Sequence, residues 1–361
     1  MRELSVIKDP VFIKKEHWSH LDNFFLRFIN DERDLPFIYL SLQVIFIIIP
    51  AAVVLYTNLL HGWVWYTAAT IYLLSILLYF MGPFILMLHN TSHCAFFKRK
   101  YNWANNIIPW FLGPFFGQSP ETYFGHHVGM HHVENNLEED CSSTMSYQRD
   151  SFRGFMRYYL EFFFIGLIEL TNYFYRKRRR KLMKKVIRGE FSFFLLCAAL
   201  CFVSWQATLF VFIIPFVFAR FAMMAGNWGQ HAFIDANDPA NNYRNSITCI
   251  NSVYNRRCFN DGYHIGHHLQ PRLHWTEMSH DFLQHQHQYA EQRAVVFEGI
   301  DYFYIWLLLM LKRYHVLAKY FVNVGDIYKT DEEVVNFLKT RTRRIDNPNQ
   351  RRNGLSNLQA Q

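Results

Sequence analysis

Histidine is the residue whose placement carries the most chemistry in this chain. The segment HNTSH sets His89 and His93 four residues apart, so both imidazoles fall on one face of a helix. GHHVGMHHVENN supplies His126, His127, His131 and His132. GNWGQHAFID supplies Asn227 and His231, again four apart, and DGYHIGHHLQPRLHW supplies His264, His267 and His268. Neutral imidazole suits iron, copper and zinc, whereas carboxylate favours harder ions and thiolate draws zinc or iron-sulfur clusters. A tetrahedral zinc is satisfied by four ligands. Nine candidates, His89, His93, His127, His131, His132, His231, His264, His267 and His268, match two ions that keep positions open for water or O2. The count therefore favours a dinuclear redox centre over one structural metal.

Each cluster alone is weak evidence, because an isolated pair of this spacing at a membrane surface is more often a packing histidine. The convergence of four clusters carries the reading. His17, His20, His61, His280, His285, His287 and His315 lack the pattern and read as ordinary surface side chains; His274, close behind the last cluster, is a weaker candidate. Asp235 and Asp261 neighbour the last two clusters and are candidate acceptors for a distal imidazole N–H, which would orient the ring. Glu134, Glu138, Glu139 and Asp140 follow the second cluster and read as a solvated acidic loop.

The elements that must position these clusters are membrane helices. Half of the 361 residues are apolar and 18% are aromatic, yet mean hydropathy is only -0.06, so the apolar residues are bunched. Four segments, 37–57, 64–88, 191–205 and 207–226, approach the roughly 20 apolar residues that span hydrocarbon. Basic residues cluster at Lys98–Lys100 and in RKRRRKLMKK (176–185), which marks the cytoplasmic side, in a bacterial inner membrane or endoplasmic reticulum. Two spans separate the first pair of His clusters from the second, so all four clusters and both termini return to that side. Shorter apolar stretches at 107–117, 155–174 and 302–311 read as interfacial helices. The fold class expected is all-α and integral to the membrane, with about four spans, interfacial helices and a cytosolic His-rich helical cap.

The economical division is an N-terminal cytosolic segment (1–35), one membrane domain (36–325) and a polar tail (326–361). The charged N-terminus has no apolar core before a small-residue cleavage site, so it is not expected to be a secretory signal. Six cysteines without a CxxC pair read as packing residues in a reducing compartment. The formal charge of +8 comes without any nucleic-acid motif, and points to lipid headgroups or an acidic redox partner rather than to nucleic acid.

These residues resemble the membrane-bound fatty acid desaturase and hydroxylase superfamily, with its three histidine boxes. HNTSH is similar to the first box, HVGMHH to the second and HIGHH to the third, over about residues 35–320. Asn227 with His231 resembles the additional Asn-x-x-x-His element of stearoyl-type desaturases. The resemblance implies two iron ions bound by the nine histidines, with Asn227 near one iron through water, and O2 as co-substrate. It implies a fatty-acyl or lipid substrate in a tunnel beside the metals. In one departure, the second box has three residues between His127 and His131 where most acyl desaturases have two, which leaves His126 or His127 as its first ligand. No haem-binding HPGG motif of a fused cytochrome b5 is present, so electrons come from a separate donor of ferredoxin, rubredoxin or cytochrome b5 type.

Desaturation is the leading expectation. The same ligands serve a lipid or alkane hydroxylase or an alkene-forming decarboxylase, because chain placement decides the product. A zinc-dependent membrane hydrolase, with the acidic loop as acid or base, and a His-rich transporter are the readings from other classes. The transporter is the weaker fit, since the spans are nearly free of charge.

Overall fold

A computed structural model describes residues 1–345 of the chain. Three helical segments among them are long and apolar enough to cross a membrane: Glu32–Tyr56, Gly62–His93 and Arg180–Gln230. The first starts where Asp31 accepts from the Arg33 backbone N–H, an N-cap that satisfies one of the free amides of the opening turn. The third, of 51 residues, covers both the third and fourth apolar runs. It is not a straight rod, because Ser204 is extended (φ -158°, ψ 107°) and its hydroxyl accepts from Ala207 N–H at 3.2 Å, starting a new helix. The chain folds back there. Phe193 stacks on Phe216 at 5.0 Å, and Arg220 pairs with Glu190 at 2.9 Å, so the two arms lie antiparallel.

The spanning helices share one apolar core, in which Ala69, Ile76, Phe84, Leu112, Phe116 and Val211 are fully buried. Their outer faces carry Phe46, Leu78, Val203 and Phe202, the last 94% exposed. A belt of large apolar side chains of this kind suits hydrocarbon better than water.

Prolines shape these helices. Wider π-turns occur at Val44–Ile48, Ser75–Phe80 and Leu209–Ile213, just ahead of Pro50, Pro83 and Pro215. Proline has no N–H for the carbonyl four residues back and its ring crowds that carbonyl; a wider turn relieves the clash.

Two of the expected interfacial stretches bury one side in the core and leave apolar side chains such as Phe111 and Leu307 exposed on the other. In 107–117, two short turns insert Ile108, Leu112 and Phe116 among the spanning helices, with Phe116 stacked on Phe84 at 4.0 Å. Helix Tyr302–Met310 buries Ile305, Leu308 and Leu309 in the cap. The stretch at 155–174 lies within the 25-residue helix Phe152–Arg176, which buries Phe155, Tyr158 and Tyr173 and exposes Phe164 and Ile168.

The cap is mostly helical but not all-α. Strands Ile247–Ile250 and Val295–Glu298 pair in parallel, with Ile247 opposite Val295. Both strands are almost wholly buried, as parallel strands usually are. The expected polar tail is also partly ordered. Helix Asp331–Arg341 buries Val334, Val335 and Leu338 against the cap, because these three recur on one helix face within a charged sequence. The rest of that expectation, from residue 346 on, lies outside the described residues. All six cysteines are free; Cys197, Cys249 and Cys258 are buried, whereas Cys94 and Cys201 are exposed and do not pack.

Candidate metal centre

The nine histidines come from four places that the fold gathers. His89 and His93 end the Gly62–His93 helix, and His231 follows the last turn of the hairpin. His264, His267 and His268 lie on the short helix His264–Leu269. His127, His131 and His132 sit on a turn where the His132 N–H bonds the His127 carbonyl five residues back. That π-turn accommodates one residue more than an α-turn, so the extra residue of the second box is absorbed without moving the flanking ligands off the site.

The side chains fall into two groups, His89, His93, His127, His132 and His267 in one and His131, His231, His264 and His268 in the other. Within each group the nitrogens all lie within 4.8 Å of one another. In the first, Nε2 atoms face each other at 2.9 Å (His89 and His267), 3.1 Å (His93 and His127), 3.1 Å (His127 and His132) and 2.9 Å (His132 and His267). In the second, His231 faces His264 at 3.2 Å and His264 faces His268 at 3.0 Å.

The far nitrogens of three rings orient them as ligands for a cation. His89 Nδ1–H donates to Asp261 at 3.1 Å, His131 Nδ1–H to Asp140 at 2.7 Å, and His231 Nδ1–H to the Asn245 carbonyl at 3.0 Å. Each bond puts the proton on Nδ1 and leaves a lone pair on Nε2. A lone pair held in place in this way is what a metal ion placed among the rings would bind. At a metal–nitrogen distance of about 2.1 Å, neighbouring ligands are about 3.0 Å apart on an octahedral ion and about 3.4 Å on a tetrahedral one. The observed spacings lie nearer the octahedral edge, and a donor set of neutral imidazoles without thiolate suits iron, copper or zinc.

Electrostatics keep the rings in the ligating form. Burial first, and neighbouring imidazoles second, push His132, His264, His267 and His268 well below the usual imidazole range. Burial alone would raise the Asp140 carboxyl, but His131 beside it and Ser142 hold it below the usual carboxylate range.

The family model for fatty acid desaturases matches residues 62–300, about two-thirds of the chain and all nine histidines. The chain belongs to the fatty acid desaturase family. Neither a curated protein nor a solved structure gives a significant match.

In this desaturase-family chain the two candidate first ligands of the second box differ in their surroundings. His127 joins the five-histidine group, while His126 is in neither group, packs edge-on against Phe162, borders the cavity beside the site and is pushed by burial down to about 4. Asn227 is in neither cluster; its side-chain amide donates to the Ser142 carbonyl at 3.0 Å and to the Tyr158 hydroxyl at 2.7 Å. Asp261 supports an imidazole, though one from the first box. Asp235 does not: it pairs with Arg341 at 3.0 Å, because the turn after His231 carries it toward the C-terminal helix.

The sequence reading missed Asp140. It was placed in a solvated acidic loop, and Glu138 and Glu139 are indeed exposed, but Asp140 is fully enclosed under His131. Nothing in LEEDCSS separates it from its neighbours. Only the turn Asn135–Asn136, both left-handed (φ 52° and 58°), folds the loop back under the box. His274 bonds Asp34 at 3.0 Å and lies outside both groups.

A cavity of about 850 Å³ opens against this site. Its walls are chiefly apolar, including Leu86, Phe162, Phe216 and Met223, and His89, His127, His131 and His264 border it. The volume lies in the range of sites that enclose a small ligand.

Proposed function

We propose that the chain is an integral-membrane, O2-dependent di-iron enzyme that oxidises an unactivated C–H bond of a fatty-acyl or lipid chain, and that the reaction is desaturation. The observation that carries this is the pair of imidazole groups, five and four, opening on one apolar cavity. The nine histidines would hold two irons, which when bound supply O2 activation and hydrogen abstraction. Family membership supports the same chemistry.

The chain's own residues have three tasks. The imidazoles, oriented by Asp140, Asp261 and the Asn245 carbonyl, would hold the metals. The cavity walls exclude water and fix which methylene faces the histidines, where a displacement of about 1 Å changes reactivity greatly. The separate donor supplies electrons: desaturation removes two hydrogens, and reduction of O2 to two waters takes two further electrons and two protons.

The membrane arrangement belongs to the same proposal. The hairpin arms 180–203 and 205–230 are each about 36–39 Å long at 1.5 Å per residue, enough to cross about 30 Å of hydrocarbon. Four crossings return the histidines and both termini to the side of the basic run, the cytoplasmic one.

The deciding experiment measures iron and zinc per purified chain, then follows cell lipids for new alkenes. About two irons per chain with new double bonds supports the proposal. Two irons with alcohols or shortened alkenes moves it to hydroxylation or decarboxylation. Zinc alone in active protein overturns it.

A further inference from the structure

A second cavity of about 550 Å³ abuts the His-lined one, and Tyr79, Pro83 and Arg257 border both. Its character differs. Trp18, Phe259 and Trp275 contribute aromatic walls, and Lys15, Arg33 and Arg257 face it against one lining carboxylate, Glu32. We propose that this cavity holds the anionic head of the acyl substrate against Arg257, while the chain runs past Tyr79 and Pro83 to the histidines. The substrate is then a membrane lipid entering from the bilayer plane, not a soluble carrier thioester. This deepens the function proposed above and rests on it.

Arg257 is singled out by its partners. Arg33 is committed to Asp31 at 2.7 Å and Glu277 at 3.0 Å. Lys15 lies 3.7 Å from Asp22 and over the Trp18 ring. Arg257 has no carboxylate partner among the described residues. Its Nη2 donates to the Tyr79 carbonyl at 2.7 Å, and the guanidinium lies 4.8 Å over the Tyr79 ring. That carbonyl is free because Pro83, four residues on, has no N–H to give it. One N–H thus fixes the guanidinium at the seam of the two cavities, and the others remain for an oxyanion.

The setting points to the bilayer. Arg33 lies in the first turn of one membrane helix, and Tyr79 stands ten residues before His89 on the next, roughly 15 Å along the axis. The rim of the two cavities carries exposed Val11, Ile13, Leu78 and Val253, an apolar margin rather than a water-facing one.

Binding tests this without turnover. The full chain in detergent is titrated with nitroxide-labelled phosphatidylglycerol, nitroxide-labelled stearate and the methyl ester of the latter, which carries no charge. The wild type is expected to bind at least one anionic probe about tenfold more tightly than the ester. Arg257→Gln abolishes that preference, Arg257→Lys keeps part of it, and Arg153→Gln, an exposed change bordering neither cavity, leaves it intact. The tighter anionic probe identifies the head as phosphate or carboxylate. Ester binding as tight as both anions overturns the proposal, as does Arg257→Gln with an unchanged preference. An acyl-CoA that displaces both probes equally well from wild type and Arg257→Gln also overturns it. A wild type that shows the preference but oxidises no lipid would overturn the proposed function and leave the head site standing.

Discussion

His131 donates from Nδ1 to Asp140 at 2.7 Å, with both side chains buried. Asp140 also accepts from the backbone N–H of Asn136 and of Ser142, so the carboxylate is held on several sides. The bond fixes the ring's tautomer and aims Nε2 at His231, His264 and His268. Removing such an acceptor typically costs ten- to a hundredfold in metal affinity. Asp140→Ala is therefore expected to empty the four-histidine group at chelator concentrations that leave the five-histidine group loaded. Metal per chain after graded dialysis measures this, and wild-type retention in both groups would remove Asp140 from that role.

His126 and His127 are neighbours in sequence and differ in direction. His127→Ala is expected to lose about half the bound metal, because the five-histidine group loses a ligand. His126→Ala is expected to keep both metals, since its ring packs on Phe162. Elemental analysis of the two variants side by side decides it; equal loss would mean that the π-turn is not fixed as described.

Glu190 and Arg220 join the arms of the hairpin, and the Ser119 hydroxyl donates to the same carboxylate at 2.7 Å. Both charged side chains are largely enclosed, 6% and 13% exposed. Breaking a buried pair from one side leaves an uncompensated charge, at about 3–5 kcal/mol, whereas replacing both partners with apolar residues is often near neutral. Glu190→Leu should thus lower the thermal midpoint sharply, and Glu190→Leu/Arg220→Leu should recover most of the loss. A double variant no more stable than the single would show that the pair is not what holds the arms.

Metal removal should destabilise the fold as well as silence it. A ligand that binds only the folded state stabilises it by about 4 kcal/mol at a thousand times its dissociation constant. Stripping metal with a chelator is expected to lower the midpoint by several degrees, and adding Fe2+ anaerobically, or Co2+, should restore it. An unchanged midpoint would mean that the nine imidazoles pack stably without an ion.

The pattern of types and spacing was enough to identify all nine clustered histidines, because imidazoles at such density on helix ends have few other uses. Apolar run lengths likewise pointed to the three helical segments long and apolar enough to cross a membrane, two of the four runs falling in the single segment Arg180–Gln230, and the alternation of basic runs with uncharged links suggested one shared side. What the linear pattern could not carry is which nitrogen meets which. The second box divides between the two groups, His127 and His132 in one and His131 in the other, and the third divides likewise. That division depends on the π-turn and on how four segments distant in sequence pack together.

The remaining differences have the same origin. Asp140 and Asp235 are both single carboxylates close to a box, and only the backbone path between box and carboxylate sends one under His131 and the other to Arg341. The stretches 107–117 and 302–311 are too short to span a bilayer, so their length suggested its surface, and only the packing shows which of their side chains, Phe116 and Leu309 among them, are buried. Local composition and period indicated the helices, the long apolar segments and the candidate metal donors, though not the two short strands of the cap. Tertiary structure decided the pairing of donors, their supporting acceptors and the cavities beside them, because those depend on contacts between residues far apart in the chain, which no local pattern encodes.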